Sequence, residues 1–85
     1  MKRERLEILR DTLKMIQENR NQIRPTILLR KSKMSSIRFK EYYNELISKG
    51  FIKENHERAI SLTEKGFKFL ERYHSIIDFI NEFEL

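Results

Sequence analysis

The chain has 85 residues and a formal net charge of +5, from 18 Lys and Arg against 13 Asp and Glu. It contains no cysteine, which excludes disulfide bonds and cysteine-ligated metal sites. No apolar run approaches the roughly 20 residues that span a bilayer, and the first residues lack the apolar stretch of a secretory signal, so we expect a cytoplasmic protein without a membrane partner. A domain of this size buries only a small core, and self-association is the remaining way to bury more surface.

The positive charge is concentrated in the first half of the chain. Residues 1–49 contain 13 Lys and Arg against 6 Asp and Glu, whereas residues 50–85 contain 5 against 7. No acidic residue lies between Glu18 and Glu41, and a segment of one sign repels itself unless a polyanion neutralises it. This favours a nucleic-acid partner; a membrane surface and a solvated basic face that serves only solubility are the alternatives. The basic segment over residues 20–40 contains Arg20, Arg24, Arg30, Lys31, Lys33, Arg38 and Lys40.

Hydrophobic spacing predicts three helices in the first part of the chain. The first covers residues 3–20, where Leu6, Leu9, Leu13 and Ile16 share one face. The second runs from Pro25, a favoured first residue of a helix, to about Lys31. The third runs over residues 35–49, with Ser35 as its N-cap and Gly50 just beyond its end; Phe39, Tyr43, Leu46 and Ile47 share its apolar face.

Two short strands and a long helix are predicted to follow. Residues 51–54 and 58–62 read as the strands of a hairpin, joined by Asn55, His56 and Glu57. Thr63 is the predicted N-cap of a fourth helix over residues 64–83. Three helices, a hairpin and a final helix make a mainly α fold in which a helix-turn-helix is followed by a β-wing. We expect residues 1–62 to form this winged helix-turn-helix and residues 63–85 to form a separate dimerisation helix.

The same segments resemble a known family. Residues 26–52, TILLRKSKMSSIRFKEYYNELISKGFI, are similar to the helix-turn-helix of small archaeal winged-helix DNA-binding proteins, which include chromatin-type proteins and regulators. Residues 60–73, ISLTEKGFKFLERY, resemble the segment in which their wing returns into the last helix. The resemblance implies a nucleoid-associated homodimer that binds double-stranded DNA, with the last helices paired as an antiparallel coiled coil.

The third helix is expected to enter the major groove. There Arg38 would bridge a phosphate or read guanine, Asn44 would read adenine, and hydroxyls at the helix N-terminus would favour phosphate. We expect Glu41 and Glu45 on the same exposed face, where they oppose DNA unless they accept from cytosine or pair with Lys40 and Lys49. The predicted DNA-binding residues are Arg30, Lys31, Lys33, Ser35, Ser36, Arg38, Lys40, Asn44 and Arg58.

The last helix carries an apolar arc of about half its circumference, which is wider than packing on one small core requires. Its length of about 30 Å would carry the C-terminal half beyond the domain. An apolar patch of this kind marks an interface, unless the first helix folds back to cover it. The predicted dimerisation residues are Leu70, Tyr73, Ile76, Ile77, Phe79, Ile80 and Phe83.

No arrangement of residues indicates catalysis. The sequence shows no nucleophile–base pattern, no paired carboxylates and no glycine-rich phosphate loop, and His56 and His74 are too far apart in sequence to suggest a metal site. We therefore expect neither an enzyme nor a bound cofactor. A dimeric DNA-binding protein, either a transcription regulator or a chromatin-type protein, is the favoured function; a winged helix that binds only an acidic protein, or one that binds double-stranded RNA, is the alternative.

Overall fold

The computed structural model describes the backbone of residues 2–85 and the side chains of residues 5–85. Four helices and a two-stranded antiparallel hairpin follow one another in the predicted order, and the fold is mainly α. The observed strands are shorter than predicted, because the residues on either side belong to turns. The elements are α1 (Lys2–Glu18), α2 (Pro25–Ser32), α3 (Ser36–Ser48), β1 (Ile52–Glu54), β2 (Ile60–Leu62) and α4 (Glu64–Glu82).

Local capping sets the predicted helix boundaries. The Ser35 side chain accepts from the Arg38 backbone N–H at 3.2 Å, and Thr63 accepts from that of Gly66 at 3.2 Å. Both bonds satisfy a backbone donor that the first turn of a helix leaves unpaired. Gly50 follows α3 with φ +79°, a left-handed conformation that glycine adopts without steric cost.

The hairpin is extended by a residue from the segment between α1 and α2. In β1 and β2, Ile52 pairs with Leu62 and Glu54 with Ile60. Ile60 also exchanges two backbone hydrogen bonds with Ile23, at 3.0 and 2.7 Å. The Asn21 side chain accepts from the Leu62 backbone N–H at 2.8 Å. These bonds tie the start of the helix-turn-helix to the wing.

The core lies between α1, the helix-turn-helix and the hairpin. The apolar face predicted for α1 is buried from Leu9 onward, but Leu6 is 40% exposed. On α3, Ile47 was predicted on the apolar face and is 38% exposed, because it lies at the edge of the buried face. The buried apolar core consists of Leu9, Leu13, Ile16, Ile23, Leu28, Phe39, Leu46, Ile52, Ala59, Ile60 and Leu62.

The first half of α4 completes the core. Gly66 is buried in its first turn, and Phe69 and Leu70 pack against the core residues. The Phe69 ring contacts the Phe51 ring edge-on, with centroids 5.2 Å apart. Further along, the Arg10 guanidinium of α1 lies 5.2 Å from the Tyr73 ring centroid. Within the described residues, no helix is long and apolar enough to cross a membrane.

Candidate nucleic-acid interface

The orientation of α3 follows from its buried residues. Phe39 and Leu46 face the core. They lie on nearly the same side of the helix, because seven residues make about two turns. The opposite side of the helix therefore points away from the protein. This outward face is formed by Ile37, Lys40, Glu41, Asn44 and Ser48, which are all exposed.

Every residue predicted to bind DNA is exposed. The set occupies the last turn of α2, the turn between α2 and α3, the first nine residues of α3 and the tip of the wing. Its members are Arg30, Lys31, Lys33, Ser35, Ser36, Arg38, Lys40, Asn44 and Arg58.

Serine hydroxyls lie at the N-terminus of α3. Ser35 uses an oxygen lone pair to cap the helix, which leaves its O–H able to donate. Ser36 is the exposed first residue of the helix. No acidic residue lies in this first turn. Donors at a helix N-terminus suit a phosphate.

Arg38 lies on a flank of α3. Its guanidinium carbon is 5.8 Å from the Tyr42 ring centroid, a stacking that directs the side chain along the helix. One residue lies about 100° from the next around an α-helix, so Arg38 lies about 100° from Ile37 and about 60° from Glu41, at the edge of the outward face. This position suits a phosphate at the edge of the groove better than a base at its centre.

Glu45, one of the two acidic residues expected to oppose DNA, is turned away from the outward face of α3. Glu45 forms ion pairs with Arg5 of α1 and with Lys49, the latter at 3.1 Å, and its side chain is only 19% exposed. The prediction that Glu45 faces solvent or DNA was wrong, because Arg5 draws it toward α1. The ion pair with Lys49, which the sequence offered as an alternative, is present. Glu41 is the acidic residue on the outward face.

The basic residues at the end of α2 differ in their surroundings. Lys33 caps α2 with φ +60°, a left-handed conformation that is costly for a side chain with a Cβ, and its N–H donates to the Arg30 carbonyl. Lys31 lines a groove between α1 and α2 together with Lys14 and with the acidic residues Asp11 and Glu18, whose negative charges offset the positive charge of the two lysines. Lys33 is therefore the better placed of the two to meet a polyanion.

The wing is closed by an asparagine. The Asn55 side chain accepts from the backbone N–H groups of Glu57 and Ala59, each at 2.9 Å, which replaces the glycine that most hairpin turns use. Arg58 adopts φ +63° at the tip. It lines a cavity with Arg24, which precedes α2, and with Glu54 of β1. The sequence pattern did not indicate this proximity of Arg24 and Arg58.

Behind the outward face, Tyr43 joins α3 to the wing. Its hydroxyl donates to the Glu54 carboxylate at 3.2 Å. Burial, the negative charge of Glu54 and this hydrogen bond together raise the pKa of Tyr43 to about 12. The hydrogen bond fixes the wing relative to α3.

The predicted dimerisation residues lie on two neighbouring stripes of α4. Leu70, Tyr73 and Ile77 are half-buried and line the cleft against α1. The second stripe is open: Ile76 is 56% exposed, Phe79 54% and Phe83 56%, and the Phe79 and Phe83 rings lie 4.9 Å apart. Ile80 is half-buried between the stripes. Thus α1 covers one stripe and leaves the other uncovered.

Among the described residues, no group of three His, Cys, Asp or Glu side chains is placed to hold a metal ion. The candidate site is instead a charged and exposed surface around a helix-turn-helix with a wing. This architecture is that of a winged helix-turn-helix protein.

The comparison with known families agrees. The family model for the winged helix-turn-helix matches residues 2–81, and the chain belongs to this family. No curated protein and no solved structure matches it. Winged helix-turn-helix domains generally bind DNA.

Proposed function

We propose that this protein is a homodimer that binds duplex DNA, as a transcription regulator or a chromatin-type protein. α3 lies in the major groove, and the cationic residues around its N-terminal half bind phosphates. The observation that carries the proposal is the exposure of the basic residues around the helix-turn-helix combined with the withdrawal of Glu45 toward α1. A surface of this kind attracts a polyanion and fixes its register.

Left-handed backbone conformations support a functional role for individual cations. Of the five non-glycine residues with φ near +60° in the described part of the chain, three are the cations Arg20, Lys33 and Arg58, and the others are Asn21 and Glu84. Glycine would adopt this conformation at lower cost, and a non-glycine residue there costs about 1–2 kcal/mol. A cation therefore occupies a left-handed position after α1, in the turn of the helix-turn-helix and at the wing tip, where glycine would suit the backbone better.

Charge reversal tests the proposal. Lys33→Glu and Lys40→Glu change the surface around α3, whereas Lys68→Glu makes the same change in net charge on the exposed surface of α4. We expect the first two variants to lose most of their affinity for duplex DNA and Lys68→Glu to bind like the parent. Equal losses for all three would mean that only net charge matters. Preferential displacement of the DNA by double-stranded RNA would favour RNA as the ligand.

Dimerisation is assigned to the open stripe of α4. The open stripe extends towards the N-terminus of α4 as far as Arg72. Its residues are spaced by four, three and four positions, as in the seam of a coiled coil: Arg72, Ile76, Phe79 and Phe83. In a parallel pair Arg72 would face its own copy and be repelled. In an antiparallel pair it would lie opposite the C-terminal end of the second helix, which carries Glu82 and Glu84. Charge therefore favours the antiparallel arrangement.

The oligomeric state tests this part of the proposal. Phe79→Asp places a charge in the seam, and burying it is strongly unfavourable. Sedimentation equilibrium is expected to show a dimer for the parent and a folded monomer for the variant. A folded, monomeric parent at micromolar concentration would contradict dimerisation through α4.

A further inference from the structure

Ile37 occupies an unusual place for an apolar side chain. It lies in the first turn of α3 and is 77% exposed. Single exposed apolar residues are common on protein surfaces and need no explanation by themselves. Ile37, however, is on the outward face of α3, at the end that reaches base edges when a helix of this type enters the major groove.

Its neighbours on this face are all polar. Lys40, Glu41 and Asn44 can each form hydrogen bonds to a base edge: Lys with guanine, Glu with cytosine and Asn with adenine. Ile37 has no polar group and can only make apolar contacts. The thymine 5-methyl group is the apolar group that base pairs present in the major groove.

We infer that Ile37 contacts the 5-methyl group of a thymine and thereby makes binding selective for that base. The inference rests on the DNA-binding function proposed above and names a specificity-determining residue within it. Lys33, in the turn before α3, and Arg38, on the flank of its first turn, bind phosphates and set the depth at which Ile37 enters the groove. Burying a methyl group is worth about a fourfold change in affinity for each engaged subunit.

The test removes the methyl group from the DNA and the side chain from the protein. The probes are a duplex of alternating dA and dT and the same duplex with deoxyuridine in place of every thymidine, so that only the 5-methyl groups differ. They are titrated with the parent, with Ile37→Ala and with Ile47→Ala. Ile47 is a matched control, because it is a partly exposed isoleucine of the same helix about 15 Å further along its axis.

The parent is expected to bind the thymidine duplex at least about fourfold more tightly than the deoxyuridine duplex. Ile37→Ala should bind both duplexes equally, and Ile47→Ala should keep the parent's preference. The exposed position of Ile37 and the high helix propensity of alanine leave the fold of the variant intact, which circular dichroism verifies.

Two results would overturn the inference and leave DNA binding standing. One is equal binding of both duplexes by the parent. The other is a preference that persists in Ile37→Ala, which would assign it to DNA stiffness or to another residue. Failure of the parent to bind either duplex at low salt would instead overturn the proposed function.

Discussion

Gly66 in α4 lies against the backbone carbonyl of Phe51, so closely that a Cβ atom at Gly66 would overlap the carbonyl oxygen. The same carbonyl accepts a hydrogen bond from the Thr63 N–H at 3.0 Å, and the Thr63 hydroxyl donates to the Gly50 carbonyl at 2.5 Å. The end of α3, the start of the hairpin and the start of α4 are therefore held together by backbone contacts and by the Thr63 hydroxyl. This explains why the segment from Thr63 to Gly66 carries a capping residue followed by a glycine.

Gly66→Ala is expected to destabilise the fold. The added methyl group must displace backbone rather than a flexible side chain, so we expect a loss of at least about 2 kcal/mol, or roughly 8–16 °C in Tm. Gly50→Ala is the matched control: its Cβ meets no atom within 4 Å, and only the left-handed backbone at φ +79° is penalised, by about 1 kcal/mol. Thermal unfolding at one protein concentration compares them. A Gly66→Ala variant as stable as the parent would contradict the close packing of α4 on Phe51.

Tyr43 is expected to make the free energy of unfolding fall at alkaline pH. Its pKa is raised to about 12 in the folded protein by burial and by Glu54, so the folded state holds this proton more tightly than the unfolded state, where the pKa is about 10. The stabilisation is complete below about pH 10 and is lost as pH rises towards 12. Tyr43→Phe should remove this part of the pH dependence and one high-pKa transition from the tyrosinate absorbance titration. A Tyr43 that titrates near 10 in the folded protein would contradict the contact with Glu54.

The sequence was sufficient to predict the helices because their boundaries are determined locally. Ser35 and Thr63 cap a backbone N–H in the first turn of the helix that each begins, and Pro25 is the first residue of its own helix. Gly50 ends α3 through its left-handed backbone conformation. The two-stranded wing was recognised from its hydrophobic residues and from its place after α3. The predicted limits of its strands were less accurate. The Asn55 side chain holds the residues up to Ala59 in the turn, although their sequence alone favours a strand from Arg58.

Long-range contacts were not predictable from the pattern. Glu45 is turned away from the outward face by Arg5, which lies forty residues earlier in the chain. Ile23 pairs with Ile60 of β2, but the segment between α1 and α2 that contains Ile23 has no sequence pattern of a strand. Hydrophobic periodicity identified the broad apolar arc of α4, but it could not indicate which part of the arc α1 covers. That Leu70 and Tyr73 lie against α1 while Ile76 and Phe79 stay exposed needed the structure.

The contrast between Lys33 and Lys31 can be measured directly. Lys33→Gly removes the charge and relieves the left-handed backbone, so the free energy of unfolding should stay within about 1 kcal/mol of the parent's. In a dimer it removes two phosphate contacts and should flatten the slope of log K against log salt by about 1.8. Lys31→Ala should flatten it by less than half as much, because Asp11 and Glu18 line the same groove as Lys31 and Lys14 and offset their charge. Equal effects would mean that both lysines contact phosphate.

The direction of the α4 pair can be tested with single cysteines, because the chain has none of its own. In the antiparallel seam, two copies of position 72 lie about 16 Å apart, too far for a disulfide, whose Cα atoms lie within about 7 Å of each other. Arg72→Cys alone should therefore not cross-link under mild oxidation, whereas its mixture with Phe83→Cys should. Efficient cross-linking of Arg72→Cys to itself would show a parallel pair.

The central claim is that the surface around α3 binds the phosphates of duplex DNA. Its most direct test is the salt dependence of binding, measured by titrating a labelled duplex with the parent protein at several salt concentrations. About five phosphate contacts per dimer predict a slope of log K against log salt near −4 to −5. A slope near zero would contradict the account, since no counterions would then be released, and would favour the winged helix as a module for binding another protein.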